Sequence, residues 1–308
     1  MNFCLEWPDM CWVSNMEWTP GGTSSDIEDR RDSSGGGGGG LGGGGFGGIH
    51  LGIGGTILLI IFGFIFHINP FDLISGGGPS SALVTPSGGG PPNAAKDAAE
   101  KPEVQFISFV LDDIQNTWAR ILPQQSAVNY RHAKLVLYRD TTDAACGVAQ
   151  SATGPFYCPQ DEKVYLDLGF FAELKSRFGA SGEFAQAYVI AHELGHHVQK
   201  LTGIEQKEQA AAQRDRAHAN QYSVRLELQA DCYAGVWGNT GEQRHFVKDS
   251  DVAEGLAAAA AVGDDRLQKM ARGYVSPETF THGSSAQRVA WFKKGLASGN
   301  ISACNTFQ

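Results

Sequence analysis

The segment His192-Glu193-Leu194-Gly195-His196 combines two histidines and a glutamate at a spacing suited to metal-dependent hydrolysis. Residues four apart lie on one face of a helix, so His192 and His196 can direct two imidazoles at one metal ion. Glu193 lies one position further round the helix and can reach a water molecule bound to that ion. The segment therefore predicts a zinc-binding helix in which Glu193 is the general base.

A pair of acidic residues further along the chain can complete such a site. A catalytic zinc ion normally has three protein ligands and one water. Glu227 and Asp231 are again four residues apart on a predicted helix, and His218, His245 and His282 are the other candidates. We assign Glu227 as the third ligand and Asp231 as the hydrogen-bond acceptor that orients a ligand histidine. The alternative is an exposed acidic pair on a helix surface.

His282 precedes a helix start and is a candidate catalytic residue. Ser284 and Gln287 have the spacing of a capping box, which places His282 at a loop–helix junction. A histidine there could donate a hydrogen bond to the developing oxyanion of a tetrahedral intermediate. The alternative is a loop histidine with a capping role. Arg288, one and a half turns on, would support His282 or pair with an acid.

These residues together predict metal-assisted peptide hydrolysis. One zinc ion per chain would lower the pKa of its water towards ~7 and polarise the substrate carbonyl. Glu193 would take the proton from the water and pass it to the leaving amine. The predicted strand at residues 164–168 could pair with an extended peptide substrate if it lies at a sheet edge.

The elements that must position these residues indicate a helix-rich α+β fold with a small β-sheet. Apolar side chains recur at helical spacing in residues 104–122 and 184–201, and Gly203 is a plausible stop for the second helix. Further helices are predicted over residues 206–237, from 250 to near Gly263, and from the capping box to Phe292. Short strands are predicted at 135–138 and 164–168, and residues 147–159 are predicted to be a loop.

Four of the six cysteines lie in the predicted globular part and favour two disulfides. Cys146 and Cys158 would close a short loop, which leaves Cys232 to pair with Cys304 and tie the C-terminal tail to a helix. No CxxC pair suggests a cysteine–zinc site. The alternative is four buried free thiols.

Residues 49–68 are a candidate transmembrane helix. The segment IHLGIGGTILLIIFGFIFHI lies in a stretch without charged residues between Asp32 and Asp72. Its length as a helix, about 30 Å, matches the bilayer core. A secretory signal is the competing interpretation, but no small-x-small cleavage site follows promptly. Arg30 and Arg31 precede the segment and no Lys or Arg follows before Lys96, which favours a cytoplasmic N-terminus and an extracytoplasmic C-terminal domain.

The predicted organisation has four parts. Residues 1–48 form a Gly-rich cytoplasmic tail, of which residues 1–15 read as an extended gene model. Residues 49–68 form the transmembrane helix, and residues 69–103 form a linker rich in Gly, Pro, Ser and Ala. Residues 104–308 form the peptidase domain. Of the 40 glycines, 24 fall within the first 100 residues, so the domain itself has no glycine excess. The net charge is −9, and the Lys and Arg residues form no basic cluster. Both observations argue against a nucleic-acid partner.

Several segments resemble a known family, the bacterial putative neutral zinc metallopeptidases, which are single-pass membrane proteins. The similar segments begin at Met16 and include GPFYCP, VYLDL, AYVIAHELGHHVQKLTGI, RLELQADCYAGVWG, AVGDDRLQ and FTHGSSAQR. The resemblance implies a zincin-like, gluzincin-like peptidase fold, with His192, Glu193 and His196 matching its motif. The ELQAD segment is similar to the E-x-x-A-D segment of HELGH-type membrane proteases, in which the glutamate is the third ligand. His282 and Arg288 resemble a later H-x(5)-R pattern in those proteases, with Gly283 in place of the usual proline.

The leading hypothesis is a zinc endopeptidase anchored in the bacterial inner membrane through residues 49–68, acting outside the cytoplasm on a peptide or protein substrate. A second hypothesis is a non-catalytic, membrane-tethered interaction protein with a structural zinc site, closed by a fourth protein ligand such as His282. A third is an aminopeptidase.

Overall fold

The structure is a computed structural model that describes residues 16–32, 94–151, 154–178 and 182–307. The predicted membrane segment at 49–68, the leader at 1–15 and most of the linker at 69–103 lie outside these ranges. Within them, no helix has the length and apolar character needed to cross a membrane.

The fold is helix-rich α+β, as predicted. Eight α-helices are described: α1 Ala94–Ser126, α2 Gly169–Phe178, α3 Glu183–Leu201, α4 Ile204–Arg214, α5 Ala219–Gln243, α6 Asp249–Ala261, α7 Asp264–Arg272 and α8 Ser285–Ser298. The helix predicted over 206–237 is divided into α4 and α5, because Asp215 leaves the helical region at φ −121° and ψ 70°. No Gly or Pro lies at that break, so the sequence pattern does not indicate it and predicts one continuous helix.

Six strands form two small sheets. They are β1 Ile27–Asp29, β2 Lys134–Tyr138, β3 Thr141–Ala144, β4 Gly147–Gln150, β5 Phe156–Cys158 and β6 Lys163–Asp167. The four-stranded sheet has the order β1-β2-β6-β5, in which only β5 is antiparallel to its neighbour. β6 thus lies between two strands, so the segment at 164–168 is not a sheet edge. The region 147–159, predicted to be a loop, contains β4 and β5; strands of three or four residues are too short to show a period.

The core lies between the sheet and the helices. The apolar stripe predicted for α1 is confirmed, since all seven of its members are buried, namely Ile107, Val110, Leu111, Ile114, Trp118, Ile121 and Leu122. α5 and α8 cross at very close range. A Cβ on Gly235 would lie 2.1 Å from the Phe292 carbonyl oxygen, and one on Gly295 would lie 1.9 Å from that of Cys232. Glycine at both positions lets the two backbones approach, which brings Asp231 and Arg288 together.

Residues 16–32 belong to the same fold as residues 94–307. The sequence analysis placed residues 1–48 in a separate tail, but β1 pairs in parallel with β2, and Met16 is part of the core. Likewise α1 begins at Ala94, within the predicted linker. Three-residue strands and single buried side chains leave no periodic signal, which is why the sequence interpretation missed them.

Both predicted disulfides are formed. Cys146–Cys158 joins the start of β4 to β5, and Cys232–Cys304 joins α5 to the C-terminal segment, with Cα–Cα distances of 5.8 and 5.5 Å. The second bridge and the Gln229 amide, which donates to the Cys304 carbonyl at 2.9 Å, fix the chain end against α5.

Candidate metal centre

Three side chains from α3 and α5 converge to form a group that could hold a metal ion. The ligand atoms of His192, His196 and Glu227 all lie within 4.8 Å of one another. Glu227 Oε2 is 3.2 Å from His192 Nε2, and Oε1 is 3.4 Å from His196 Nε2. The helices pack closely here, because a Cβ on Gly195 would lie 3.1 Å from Ala230. The structure therefore brings together the two histidines of α3 and Glu227, the first acid of the pair on α5.

Asp231 lies behind this group, on the far side of His192. Its Oδ1 is 2.9 Å from His192 Nδ1, which leaves the opposite ring nitrogen facing Glu227. Arg288 donates from Nε to Oδ2 at 2.8 Å and from Nη2 to Oδ1 at 2.9 Å. The Tyr188 hydroxyl also donates to Oδ1. Of the two roles expected for Arg288, the structure shows pairing with an acid.

The electrostatics of Asp231 follow from these contacts. The carboxylate is fully buried, and Arg288 is 3 % exposed. Burial alone would raise the pKa of Asp231, but the charge of Arg288 and the hydrogen bond from His192 outweigh it and hold the pKa below its ordinary value. Asp231 is therefore a fixed negative charge that polarises His192.

His192 responds to two carboxylates at once. Burial lowers its pKa, but hydrogen bonds to Asp231 and Glu227 dominate and raise it to about 10. Glu227 itself has a pKa well below the ordinary value, because His196 and His282 counter its desolvation. A cation entering this group must displace the proton of His192.

Glu193 is buried beside the three convergent residues. Burial raises the pKa of its carboxyl, while the two neighbouring histidines and a hydrogen bond from the Tyr157 main chain act in the opposite direction. A raised carboxyl pKa suits a group that must accept and then release a proton near neutral pH.

His282 forms a second buried pair, with Asp264. Asp264 Oδ2 accepts three backbone N–H groups, from Thr281 at 2.7 Å, His282 at 2.7 Å and Gly283 at 3.1 Å. Its Oδ1 lies 3.2 Å from His282 Nδ1. The ring is 3 % exposed, and among the described residues its Nε2 has no hydrogen-bond partner. The sequence pattern did not single out Asp264. Its one indication is the pair of acids, Asp264 and Asp265, at the start of α7.

The capping box predicted after His282 is present. Ser284 caps α8 and exchanges hydrogen bonds with Gln287. His282 makes no part of this cap, and the described metal-binding group does not include it.

The other histidines lie apart from the convergent group. His197 is fully buried, and its ring joins the Tyr157 hydroxyl at 2.9 Å and the Arg131 carbonyl at 2.7 Å. His218 is exposed beside Asp215, and His245 is exposed just beyond the end of α5. His197 thus holds β5 against α3.

The strand β5 borders the candidate centre. Its Tyr157 bonds to Glu193 through the main chain and to His197 through the hydroxyl. In the described part of the chain, no further strand pairs with the outer edge of β5.

Comparison with known proteins agrees with this arrangement. The model of the family described as "Putative neutral zinc metallopeptidase" matches residues 16–307. The chain is 46 % identical to Uncharacterized protein YpfJ of Escherichia coli over 300 residues, which cover 95 % of this chain and 99 % of that protein. It is 44 % identical to an uncharacterized protein of Mycobacterium tuberculosis over 207 residues, which cover 64 % of this chain and 68 % of that protein. No solved structure matches the chain. The chain therefore belongs to the putative neutral zinc metallopeptidase family.

Proposed function

We propose that this protein is a membrane-attached zinc endopeptidase that acts outside the cytoplasm. The observation that carries the proposal is the convergence of His192, His196 and Glu227 beside the buried Glu193. Two imidazoles and one carboxylate are a donor set of catalytic zinc sites, in which the fourth position is left for water. A zinc ion held there would lower the pKa of a water ligand to about 7 and polarise the substrate carbonyl.

The chain's own residues supply the proton transfers. Glu193 takes a proton from the attacking water and delivers it to the leaving amine nitrogen. Asp231 holds His192 in the tautomer that leaves Nε2 free to bind the metal, and Arg288 with Tyr188 holds Asp231.

His282 supplies a donor on another side of the site. The Thr281 hydroxyl at 2.9 Å and Asp264 Oδ1 at 3.2 Å both lie beside Nδ1, so Nε2 is the ring atom left to meet a substrate. With a proton on Nε2, His282 would donate from that atom to the carbonyl oxygen as negative charge develops there. The unpartnered, buried nitrogen supports this role.

The edge strand β5 is the place for an extended substrate. A peptide that lies along β5 adds one strand to the sheet through main-chain hydrogen bonds, and its scissile bond passes Glu193. β5 takes over the role that the sequence analysis gave to residues 164–168. A peptide paired with a strand edge can extend on both sides of the cut, which favours an endopeptidase over an aminopeptidase.

Membrane attachment through residues 49–68 and an extracytoplasmic domain complete the proposal. The two disulfides support this location, since such bonds persist in oxidising compartments. The competing hypothesis of a structural zinc site needs a fourth protein ligand, and the described ligand group has three members.

The decisive experiment compares Glu193→Gln with wild type in the full chain. We expect the variant to retain its zinc and to lose ~10²–10⁴-fold in casein hydrolysis, the usual contribution of a general base. Glu242→Gln, the same change on the outer end of α5, is the matched control and should hydrolyse casein like wild type. Equal hydrolysis by Glu193→Gln and wild type would refute the mechanism.

A further inference from the structure

Residues 16–32 are joined to the rest of the fold by main-chain hydrogen bonds along a strand. β1 is in register with β2, with Ile27 opposite Leu135 and Asp29 opposite Leu137. The ladder is extended at both ends, because Leu135 N–H donates to the Asp26 carbonyl at 2.8 Å and Arg30 N–H to the Leu137 carbonyl at 2.7 Å. This pairing makes β1 an integral strand of the four-stranded sheet.

Residues of the same segment also contact α1, the start of α3 and the loop that follows α5. Met16 is 3 % exposed, and Trp18 packs against Phe106 of α1 with ring centroids 5.3 Å apart. The Trp18 indole donates to Glu183 at the start of α3 at 3.1 Å, and Glu17 N–H donates to the carbonyl of Phe246 at 3.1 Å. The segment is therefore anchored both at its start, through Met16 to Trp18, and at β1.

The two ends of residues 33–93 meet at one side chain. The Arg139 guanidinium binds Asp32 through Nη1 at 3.0 Å and Asp97 through Nη2 at 2.5 Å. Arg31 reaches Glu100 at 2.7 Å beside them. Asp32, the last described residue before position 94, and Asp97, in the first turn of α1, thus lie within the reach of a single guanidinium.

We infer that residues 16–32 and 94–307 lie on the same side of the membrane. A single crossing by residues 49–68 would place these two parts in separate aqueous compartments, and β1 could not pair with β2. Asp32 and Asp97, which both bind Arg139, therefore lie on one side of the membrane. This revises the expected cytoplasmic tail of residues 1–48, and it holds whether or not the protein is a peptidase.

The test is the labelling of single cysteines in the full chain in intact cells. In a Cys4→Ser/Cys11→Ser background, Ser25→Cys reports on the N-terminal segment and Ala297→Cys on α8; both positions are exposed. We expect a membrane-impermeant maleimide to label both positions alike, either before or only after permeabilisation. Labelling of one position in intact cells and of the other only after permeabilisation would overturn the inference.

A second measurement uses the wild-type protein, so it does not depend on the folding of a variant. Glu17 and Lys248 form an exposed ion pair at 2.8 Å, which a zero-length carbodiimide can convert to an amide. We expect this cross-link in wild-type protein treated in intact cells before detergent is added, and its loss in Glu17→Gln. Lys207 is the distance control, and we expect no cross-link between it and Glu17. Lys207 lies on α4, which packs near the start of α5, whereas Glu17 contacts Phe246 beyond the end of α5. A Glu17–Lys248 link that forms in detergent-solubilised protein but never in cells would contradict the same-side arrangement.

Discussion

Two buried carboxylate–imidazole pairs border the candidate centre, and their surroundings differ. In Asp231–His192, the carboxylate is held by the side chains of Arg288 and Tyr188, and the ring faces Glu227. In Asp264–His282, the carboxylate is held by backbone N–H groups, and the outer ring nitrogen has no partner among the described residues. The same two side chains thus orient a candidate metal-ligand ring in one pair and leave a ring nitrogen without a described partner in the other.

In both pairs Nδ1 of the histidine faces the carboxylate. The difference shows that the group beside the other ring nitrogen, Nε2, decides what each histidine can do. The first pair depends on a buried counter-charge, whereas the second depends on loop geometry. We therefore expect damage to the first pair to appear in stability and zinc affinity, and damage to the second to appear in turnover.

The largest effect is expected for Arg288→Met. It removes the guanidinium that pairs with the buried Asp231 carboxylate, which costs about 3–5 kcal/mol in the free energy of unfolding. Urea denaturation of the full chain measures this. Arg244→Met is the matched control, because its pair with Asp113 is partly exposed and is worth about 0–1 kcal/mol. Adding Asp231→Asn to Arg288→Met should recover part of the loss; no recovery would show that Arg288 acts through packing alone.

The next effect concerns the second pair. His282→Ala should lower kcat by ~10²–10³-fold, the usual loss for one oxyanion donor, with zinc content unchanged. Steady-state peptide hydrolysis with parallel zinc analysis measures both quantities, and His218→Ala is the exposed control. Loss of zinc from His282→Ala would instead support a closed, structural site.

A smaller effect separates the two carboxylates directly. Asp231→Asn should weaken zinc binding by about 10–100-fold, because it removes the charge that orients and polarises His192. Asp264→Asn should leave zinc affinity unchanged and lower kcat. Competition with a chelator measures the affinities, and equal weakening in both variants would remove the distinction between the pairs.

The pH dependence of zinc binding is the mildest test. Asp231 and Glu227 raise the pKa of His192 to about 10, so the ring carries a proton at neutral pH before a cation binds. Zinc affinity should therefore rise with pH, by up to about tenfold per unit for one proton released. The stability of the zinc-free chain should move the opposite way. The raised pKa stabilises the fold below the unfolded value of ~6.5, and this stabilisation is lost as pH rises towards about 10. Titration calorimetry and urea denaturation at several pH values measure the two trends, and zinc affinity independent of pH would contradict the first.

The first pair could be predicted from sequence and the second only in part. His192, Glu193, His196, Glu227 and Asp231 follow helical spacing, which converts sequence separation directly into a shared face. His282 stood out through its position before a capping box. Its partner Asp264 did not, because it is 18 residues away and the contact depends on how α7 packs against the loop.

The strands were the least predictable part of the fold. β1 and β5 have three residues each, and β1 pairs with a segment far away in the chain, with Ile27 opposite Leu135. The edge position of β5 follows from strand order, which short strands do not encode locally.

By itself, the amino-acid sequence determined the helix that carries His192 and His196, the acidic pair on α5, the apolar stripe of α1 and the choice of cysteines for the two disulfides. These features rest on periodicity or composition within one element. Only the tertiary structure decided that Arg288 holds Asp231, that Asp264 holds His282, that β5 lies at an edge of the described sheet and that residues 16–32 belong to the fold. Those depend on contacts between distant segments, whose geometry is set when the whole chain packs.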